Sequence, residues 1–336
     1  MSGFKSKNFN IPEGIEYYMV EEAKIFEKLK RNISSIYTKS KYSYVITPIF
    51  DNLDNLLSLK STDLDNQTTF VLDKINSTEV GIRADITPQI AKVDYQLTGG
   101  KGKSKYCYMG DILRLSPGPF DRINPFQTGV EYFGIKNKSA DIEIIKLMID
   151  IISLSKEQRI IIELGDLCFL NNLINELNLD AEKKLRLVSL INLKSIDEIK
   201  NFFNENNLSK NKKKFLLDLI SLSGDISVMK ELKKVMKYNK VKNSTALNDL
   251  ESIAEIIQKY KSNCDIQIDL CELHGLNYQS SLAYTAYIPN LRKEIARGGR
   301  YLAYDAYSSN PRTATGFSLD IKDLLDILLQ KRPYNA

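Results

Sequence analysis

The first 168 residues of the chain carry apolar residues at two different spacings. Residues 17–38 and 140–154 have them every three or four positions, which predicts two amphipathic helices. Shorter apolar or alternating runs between polar segments predict strands. These predicted strands cover 44–46, 68–72, 80–83, 106–113, 125–133 and 159–164, with 68–72 and 80–83 paired antiparallel across a polar turn at 74–78. Another helix is predicted to open at 86–88, with Thr87 as its N-cap and Pro88 at its first position.

The pattern becomes helical throughout between about 170 and 260. Apolar residues recur at helical spacing there, which predicts an all-helical insertion. The lysines at 210–214 are predicted to form the solvated start of a helix. Strands return at 266–270, 281–287, 294–296 and 316–319, with a turn at Gly298-Gly299 and a terminal helix from Ile321.

Strands and helices are therefore segregated along the chain instead of alternating. This arrangement predicts an α+β fold, with an antiparallel sheet flanked by helices and split by the insertion. The predicted organisation is a first part of the core at 1–168, a helical insertion at 169–262 and a second part of the core at 263–336.

Composition excludes several classes of site. The 336 residues have a net charge of +5, which indicates an ordinary solvated surface. The single histidine, His274, and four cysteines without metal-ligand spacing predict no metal site and free thiols in a reducing compartment. No apolar run reaches the roughly 20 residues that span a bilayer, and the N-terminus lacks a secretory pattern. We therefore expect a cytoplasmic protein.

The segment from 108 to 134 holds the strongest candidate chemistry. Arg114 and Arg122 flank a Pro-Gly-Pro loop, and Gln127, Gly129 and Glu131 fall on one face of the strand that follows. Gly129 is predicted to leave that face open, so the amide and carboxylate could bind a small polar cation or an imidazole N–H. The alternative is a structural network that satisfies buried polar groups.

Asp85 and Thr87 form a second candidate group, at the end of the strand predicted at 80–83. One interpretation is simple capping of the next helix by Thr87. The other is that the two side chains present oxygen atoms to an ammonium group.

Taken together, these segments resemble the catalytic core of class II aminoacyl-tRNA synthetases, and specifically histidyl-tRNA synthetase. The resemblance covers nearly the whole chain. The matching segments are 46–57 for the first, dimer-forming motif, 108–131 for the second motif, 273–278 for the histidine-specific segment, and 298–301 with 314–325 for the segment ending in the third motif.

The chain departs from this family where the family's chemistry needs charge. The arginine of the histidine-specific segment falls on His274, the arginine of the third motif on Asp323, and a glutamate of the second motif on Ser116. A carboxylate about 5 Å from a phosphate costs roughly 3 kcal/mol at an effective dielectric of about 20. The sequence also stops soon after the third motif, so no anticodon-binding domain is expected.

With these departures, the chain resembles one family that shares this fold, the ATP phosphoribosyltransferase regulatory subunits of histidine biosynthesis. The resemblance implies a subunit without activity or cofactor of its own, which enables the first step of the pathway and passes on feedback by histidine. It implies a hetero-octamer of four such chains with four short catalytic subunits, self-dimerisation through the class II core, and no tRNA or membrane partner.

The same resemblance implies a site for L-histidine. The ammonium would be held by Asp85, Thr87 and Gln127, the carboxylate by Arg114, and the imidazole by Glu131 and Tyr278. Two alternatives stay open at this point. One is an active, shortened histidyl-tRNA synthetase, and the other is an RNA-binding protein that uses the basic helical insertion.

Overall fold

The computed structural model describes most of the chain. The described residues are 15–57, 71–75, 78–115, 120–157, 159–241, 244–271, 279–289, 291–303 and 311–330. Ser116, His274 and Tyr278, on which parts of the sequence analysis depend, lie outside these ranges.

Eleven strands occur in the described residues and form two sheets. They are β1 (Ser43–Tyr44), β2 (Phe50–Asn52), β3 (Val71–Ile75), β4 (Thr78–Ile82), β5 (Ser104–Asp111), β6 (Phe126–Phe133), β7 (Ile160–Asp166), β8 (Cys264–Ile268), β9 (Gln279–Tyr287), β10 (Ala296–Ala303) and β11 (Arg312–Asp320). The main sheet has the order β1-β5-β6-β11-β10-β9-β7-β8, and the small sheet has the order β2-β4-β3.

The helices of the described residues flank the main sheet or fill the insertion. They are α1 (Val20–Lys39), α2 (Leu53–Leu56), α3 (Thr87–Thr98), α4 (Lys138–Ile152), α5 (Cys168–Glu176), α6 (Ala181–Asn192), α7 (Ile196–Glu205), α8 (Lys210–Ser221), α9 (Met229–Tyr238), α10 (Ser244–Gln258) and α11 (Ile321–Leu328). None of these helices combines the length and the apolar character that a membrane crossing requires.

The main sheet is antiparallel through its centre, from β5 to β7. Only its two outer pairs, β1 with β5 and β7 with β8, are parallel. This confirms the predicted α+β class. The predicted pairing of the strands near 70 and 80 is also confirmed, but β3 runs to Ile75 and pairs with Thr78, so strands occupy part of the predicted turn.

The two faces of the sheet belong to two hydrophobic clusters. Val130 of β6 belongs to the large cluster that includes apolar residues of α1 and α4. Phe133 belongs to a smaller cluster with Ile90 of α3. Because Gln127 and Glu131 alternate in step with Phe133, they lie on the face that α3 covers. The candidate site residues of β6 therefore face α3.

The insertion is helical, as predicted, with α5 to α10 following β7. Its buried side chains, Leu187 and Phe202 among them, belong to the same large cluster as the sheet. α8 begins at Lys210, and the side chains of Lys210 and Lys214 are exposed. The proposed boundaries at 169 and 262 stay a prediction.

One prediction in this region is wrong. A turn was expected at Gly298-Gly299, but β10 continues through both residues and pairs on its two sides with β9 and β11, with a register shift against β9 between Gly299 and Tyr301. A side chain at Gly298 would clash with the ring of Tyr284 and the carbonyl oxygen of Gly316. The glycine therefore serves close packing between strands and not a change of chain direction.

Candidate ligand-binding site

Glu131 is the centre of a buried polar network on the α3 face of the sheet. Its side chain is only 2% exposed. Thr87 and Tyr108 donate hydrogen bonds from their hydroxyl groups to Oε1, over 3.1 and 3.3 Å. Tyr301 donates to Oε2 over 2.7 Å. Burial raises the pKa of Glu131 from 4.5 to about 8, although the hydroxyl groups of Tyr301, Thr87 and Tyr108 oppose that rise.

Two glycines make room for this network. Glu131 lies opposite Gly316 in the pairing of β6 with β11, and a side chain at Gly316 would collide with the Glu131 carboxylate. Tyr108 lies opposite Gly129 in the pairing of β5 with β6, and a side chain at Gly129 would collide with the Tyr108 hydroxyl. The prediction that Gly129 leaves its face open is wrong, because Tyr108 fills that space.

Gln127 connects the strand to the start of α3. Its amide nitrogen donates to Asp85 Oδ1 over 2.8 Å, and its Oε1 accepts a hydrogen bond from the backbone N–H of Ile86 over 2.9 Å. Since the side chain is buried, these contacts satisfy both ends of the amide. Asp85 and Gln127 therefore hold each other in place beside Glu131.

Thr87 has a different role from the N-cap that one interpretation gave it. α3 already includes Thr87, and the backbone N–H of Thr87 donates to Asp85 Oδ1 over 3.1 Å. The carboxylate of Asp85 thus accepts the hydrogen bond that an N-cap side chain would otherwise accept at the start of α3. The Thr87 hydroxyl is free to turn towards Tyr108 and Glu131.

Arg114 lies next to this network, just beyond the end of β5. It lines a small cleft of about 40 Å³ together with Gln127, Arg297 and Ser318. Its Nε atom is buried and has no hydrogen-bond partner among the described residues. A guanidinium with an unsatisfied buried donor is suited to accept a carboxylate ligand.

Arg122, which the sequence groups with Arg114, Gln127 and Glu131, takes part in a separate cluster of charged side chains. Its side chain is 4% exposed, and it is paired with carboxylates. The four partners are Glu16 and Asp326, which it contacts closely, and Asp320 and Asp323 at 3.3 and 3.4 Å. The sequence could not show this, because two of the acids lie on α11 and one precedes α1.

Lys293 is the second cation in this acidic cluster. Its Nζ lies 2.8 Å from Asp323 and 3.3 Å from Asp121. Burial and the neighbouring Asp323 raise the pKa of Asp320 to about 7. Arg122 and Lys293 are therefore already paired with carboxylates.

Arg83 fixes the first-motif segment to the strand beside the site. Its Nε donates to the carbonyl oxygen of Asp111 over 2.8 Å, and its Nη1 donates to Thr47 Oγ1 over 2.7 Å and to Gln89 Oε1 over 3.3 Å. A side chain at Gly110 would collide with the guanidinium. Desolvation lowers the pKa of Arg83, which is the cost of burying this anchor.

Four of the six predicted site residues therefore form one connected network: Asp85, Thr87, Gln127 and Glu131. Arg114 shares a cleft with Gln127, and Tyr278 lies outside the described residues. The sequence alone did not indicate the roles of the hydroxyl groups of Tyr108 and Tyr301. A tyrosine opposite Gly129 was the available signal, but strand register had to be known to use it.

Comparison with known proteins assigns a family. The family model for histidyl-tRNA synthetase matches residues 14–324. The ATP phosphoribosyltransferase regulatory subunit of Thioalkalivibrio sulfidiphilus is 32% identical over 321 residues, which are 95% of this chain and 81% of that protein.

Solved structures share the fold at lower identity. An ATP phosphoribosyltransferase regulatory subunit/histidyl-tRNA synthetase from Bacillus halodurans has a TM-score of 0.81 at 24% identity, covering 96% of this chain and 83% of that one. A chain of the ATP phosphoribosyltransferase (HisG:HisZ) complex from Thermotoga maritima has a TM-score of 0.67 at 18% identity, covering 88% of this chain and 97% of that one.

These matches confirm the class II aminoacyl-tRNA synthetase-like fold and the resemblance drawn from the motifs. The structural matches establish the fold, and the sequence matches extend over most of both proteins. The chain belongs to the histidyl-tRNA synthetase family and, within it, to the ATP phosphoribosyltransferase regulatory subunits of histidine biosynthesis.

Proposed function

We propose that this chain is a non-catalytic subunit that enables a short catalytic ATP phosphoribosyltransferase and senses L-histidine. The observation that carries the proposal is the contrast between two neighbouring places on one sheet. The network around Glu131 keeps groups suited to an amino acid. In the cluster around Asp323, Arg122 and Lys293 are each paired with carboxylates.

The first place suits the three polar groups of histidine. Arg114 offers a buried donor to the α-carboxylate, and Asp85 offers a carboxylate to the ammonium. Glu131 would accept from the imidazole N–H, with Tyr278 completing the site. Gln127 lies between the two ends because it both contacts Asp85 and lines the cleft of Arg114.

The second place is unsuited to amino-acid activation. That reaction builds negative charge on phosphates and relies on fixed cations to stabilise it. Arg122 and Lys293 are already paired with carboxylates. Asp320 and Asp323 line the same cleft as Arg114, so this cleft suits the single charge of an α-carboxylate better than the several charges of a triphosphate. A carboxylate at about 5 Å opposes each phosphate charge by roughly 3 kcal/mol at an effective dielectric of about 20.

The proposed partner is the catalytic subunit of ATP phosphoribosyltransferase. The Thermotoga maritima complex combines two different proteins, HisG and HisZ, and its matched chain shares this fold. We propose the same kind of pairing here, with four chains of each type, in the cytoplasm. Feedback would require histidine to bind one state of this complex better than another, by a coupling of typically ~1–3 kcal/mol.

Self-association through the first-motif segment completes the proposed assembly. Tyr44, Ile46 and Phe50 are 50%, 82% and 49% exposed along one stretch at the edge of the main sheet and in β2. Apolar side chains clustered in this way are typical of a surface that another protein covers. A second copy of the chain is the partner that the family resemblance supports.

Reconstitution tests the proposal. The purified chain is mixed with a short catalytic subunit, and phosphoribosyl transfer is measured for each protein alone and for the mixture, with increasing histidine. We expect full activity only in the mixture and inhibition by histidine. The chain alone is also assayed for histidine-dependent exchange of pyrophosphate into ATP. Robust exchange would overturn the proposal and favour an active, shortened synthetase.

A further inference from the structure

The helical insertion holds an open groove, lined by described residues, for which no role has been given. It lies between α5, the first turns of α8, and the chain that follows α9, and its volume is about 1110 Å³. Ligand pockets commonly enclose roughly 300–1,000 Å³, so this groove has room for a ligand larger than an amino acid.

The segment 210–242, which supplies the three lysines that line the groove, concentrates the positive charge of the chain. Residues 210–242 contain ten lysines against three acidic residues, whereas the whole chain has a net charge of only +5. The rest of the protein is therefore slightly acidic. Four of these lysines lie within 210–214, at the N-terminal end of α8, where the helix dipole is positive and disfavours cations. An anion bound there would relieve this repulsion.

The lysines that line the groove differ in their partners. Lys212 donates to the backbone oxygen of Glu176 over 2.7 Å and lies 3.3 Å from its carboxylate. Lys214 and Lys240 have no acidic partner among the described residues. Lys214 instead lies 5.3 Å from the centre of the Tyr238 ring. Two ammonium groups are therefore available to an anionic ligand.

The floor and rim of the groove are apolar or aromatic. Phe169, Leu173 and Phe215 form a buried base, and Tyr238 stands at the rim with 75% of its surface exposed. An acidic segment would neutralise the lysines but would leave the exposed ring of Tyr238 uncovered, whereas Phe169, Leu173 and Phe215 are already buried. A ligand that fits both features carries negative charge at one end and a flat, weakly polar ring at the other.

We propose that this groove binds a free nucleoside polyphosphate. The phosphates contact Lys214 and Lys240, and the base packs against Tyr238 and the apolar floor. This inference is independent of the histidine site, which lies on the α3 face of the sheet.

Calorimetric titration of the full chain at low salt tests the proposal. The probes are ATP, adenosine and inorganic tripolyphosphate. We expect ATP to bind, and adenosine and tripolyphosphate each to bind roughly tenfold more weakly, because each lacks one half of the recognised chemistry. The double variant Lys214→Ala/Lys240→Ala and the single variant Tyr238→Ala should each weaken ATP binding roughly tenfold or more.

Lys230→Ala is the matched control, because this exposed lysine begins the opposite end of α9 and does not line the groove. It should leave ATP binding unchanged, and circular dichroism should show that all variants are folded. Equal binding of tripolyphosphate and ATP would overturn the role of the base. Loss of ATP binding in Arg114→Ala, with retention in the double lysine variant, would place the nucleotide on the sheet and overturn the proposal.

A single-stranded RNA decamer provides the last arm of the test. We expect ATP to compete with any RNA that binds the groove. Tight RNA binding without measurable ATP binding at about 1 mM would identify a nucleic-acid surface and overturn the proposal of a free nucleotide.

Discussion

Glu131 and Gly316 face each other across β6 and β11, and the missing side chain of the glycine is what admits the carboxylate. We predict that Gly316→Ala destabilises the protein by about 1–3 kcal/mol, because the added methyl group collides with Glu131 and with a backbone oxygen. Urea unfolding measures this change. In a Glu131→Ala background part of the collision is absent, so the cost of Gly316→Ala should be smaller. Equal costs in the two backgrounds would contradict the assignment.

The raised pKa of Glu131 makes stability depend on pH. The folded protein holds this proton up to pH of about 8, whereas the free side chain loses it near 4.5. Between these values the unfolded chain binds fewer protons, so stability falls as pH rises, by up to ~1.4 kcal/mol per pH unit from this group. Unfolding in urea from pH 5 to 8 should show a flatter profile for Glu131→Gln than for the parent. Glu27→Gln, at an exposed glutamate, should not flatten it.

Arg114 is predicted to decide histidine affinity. Arg114→Ala removes the donor proposed for the α-carboxylate and should weaken histidine binding by about 10- to 100-fold, which equals ~1.4–2.7 kcal/mol. Calorimetry on the chain measures affinity, and the inhibition curve of the reconstituted complex should shift in the same direction. Arg159→Ala removes an exposed arginine paired with Asp265 and serves as the control. Unchanged affinity in Arg114→Ala would place the carboxylate elsewhere.

Asp323 is predicted to be a structural partner of Lys293. Placing an arginine at this position, as in histidyl-tRNA synthetases, should not restore amino-acid activation. Asp323→Asn should cost about 1–3 kcal/mol, because Lys293 and Arg122 each keep another carboxylate. Asp323→Arg should cost more, about 3–5 kcal/mol, because it removes a carboxylate and adds a cation beside Arg122 and Lys293. Urea unfolding and pyrophosphate exchange measure the two effects. Exchange activity in a folded Asp323→Arg protein would contradict this prediction.

The sequence predicted what depends on local pattern and on residue type. The fold class, the helices and most of the strands could be predicted from the spacing of apolar residues. The segment that contains Gln127 and Glu131 could be predicted to form a site from its motif. What escaped prediction depends on contacts between distant segments. Tyr301 donates a hydrogen bond to Glu131 although the two residues are 170 positions apart in the sequence. Arg122 forms an ion pair with Asp326 of α11. The turn predicted at Gly298-Gly299 was wrong because turns and close packing between strands both favour glycine.

The two tyrosines that contact Glu131 offer a matched comparison. Tyr301 donates to Oε2 over 2.7 Å, whereas Tyr108 donates to Oε1 over 3.3 Å and shares its hydroxyl with Thr87. Above pH 8, where Glu131 is ionised, Tyr301→Phe should therefore cost about 1.5–3 kcal/mol and Tyr108→Phe about 0.5–1.5 kcal/mol. Loss of either donor leaves the carboxylate less stabilised, so the pKa of Glu131 should rise further, and more in Tyr301→Phe. Urea unfolding across pH 5 to 9 reports both quantities. A larger cost for Tyr108→Phe, or a lowered pKa in either variant, would contradict the hydrogen-bond order described for this network.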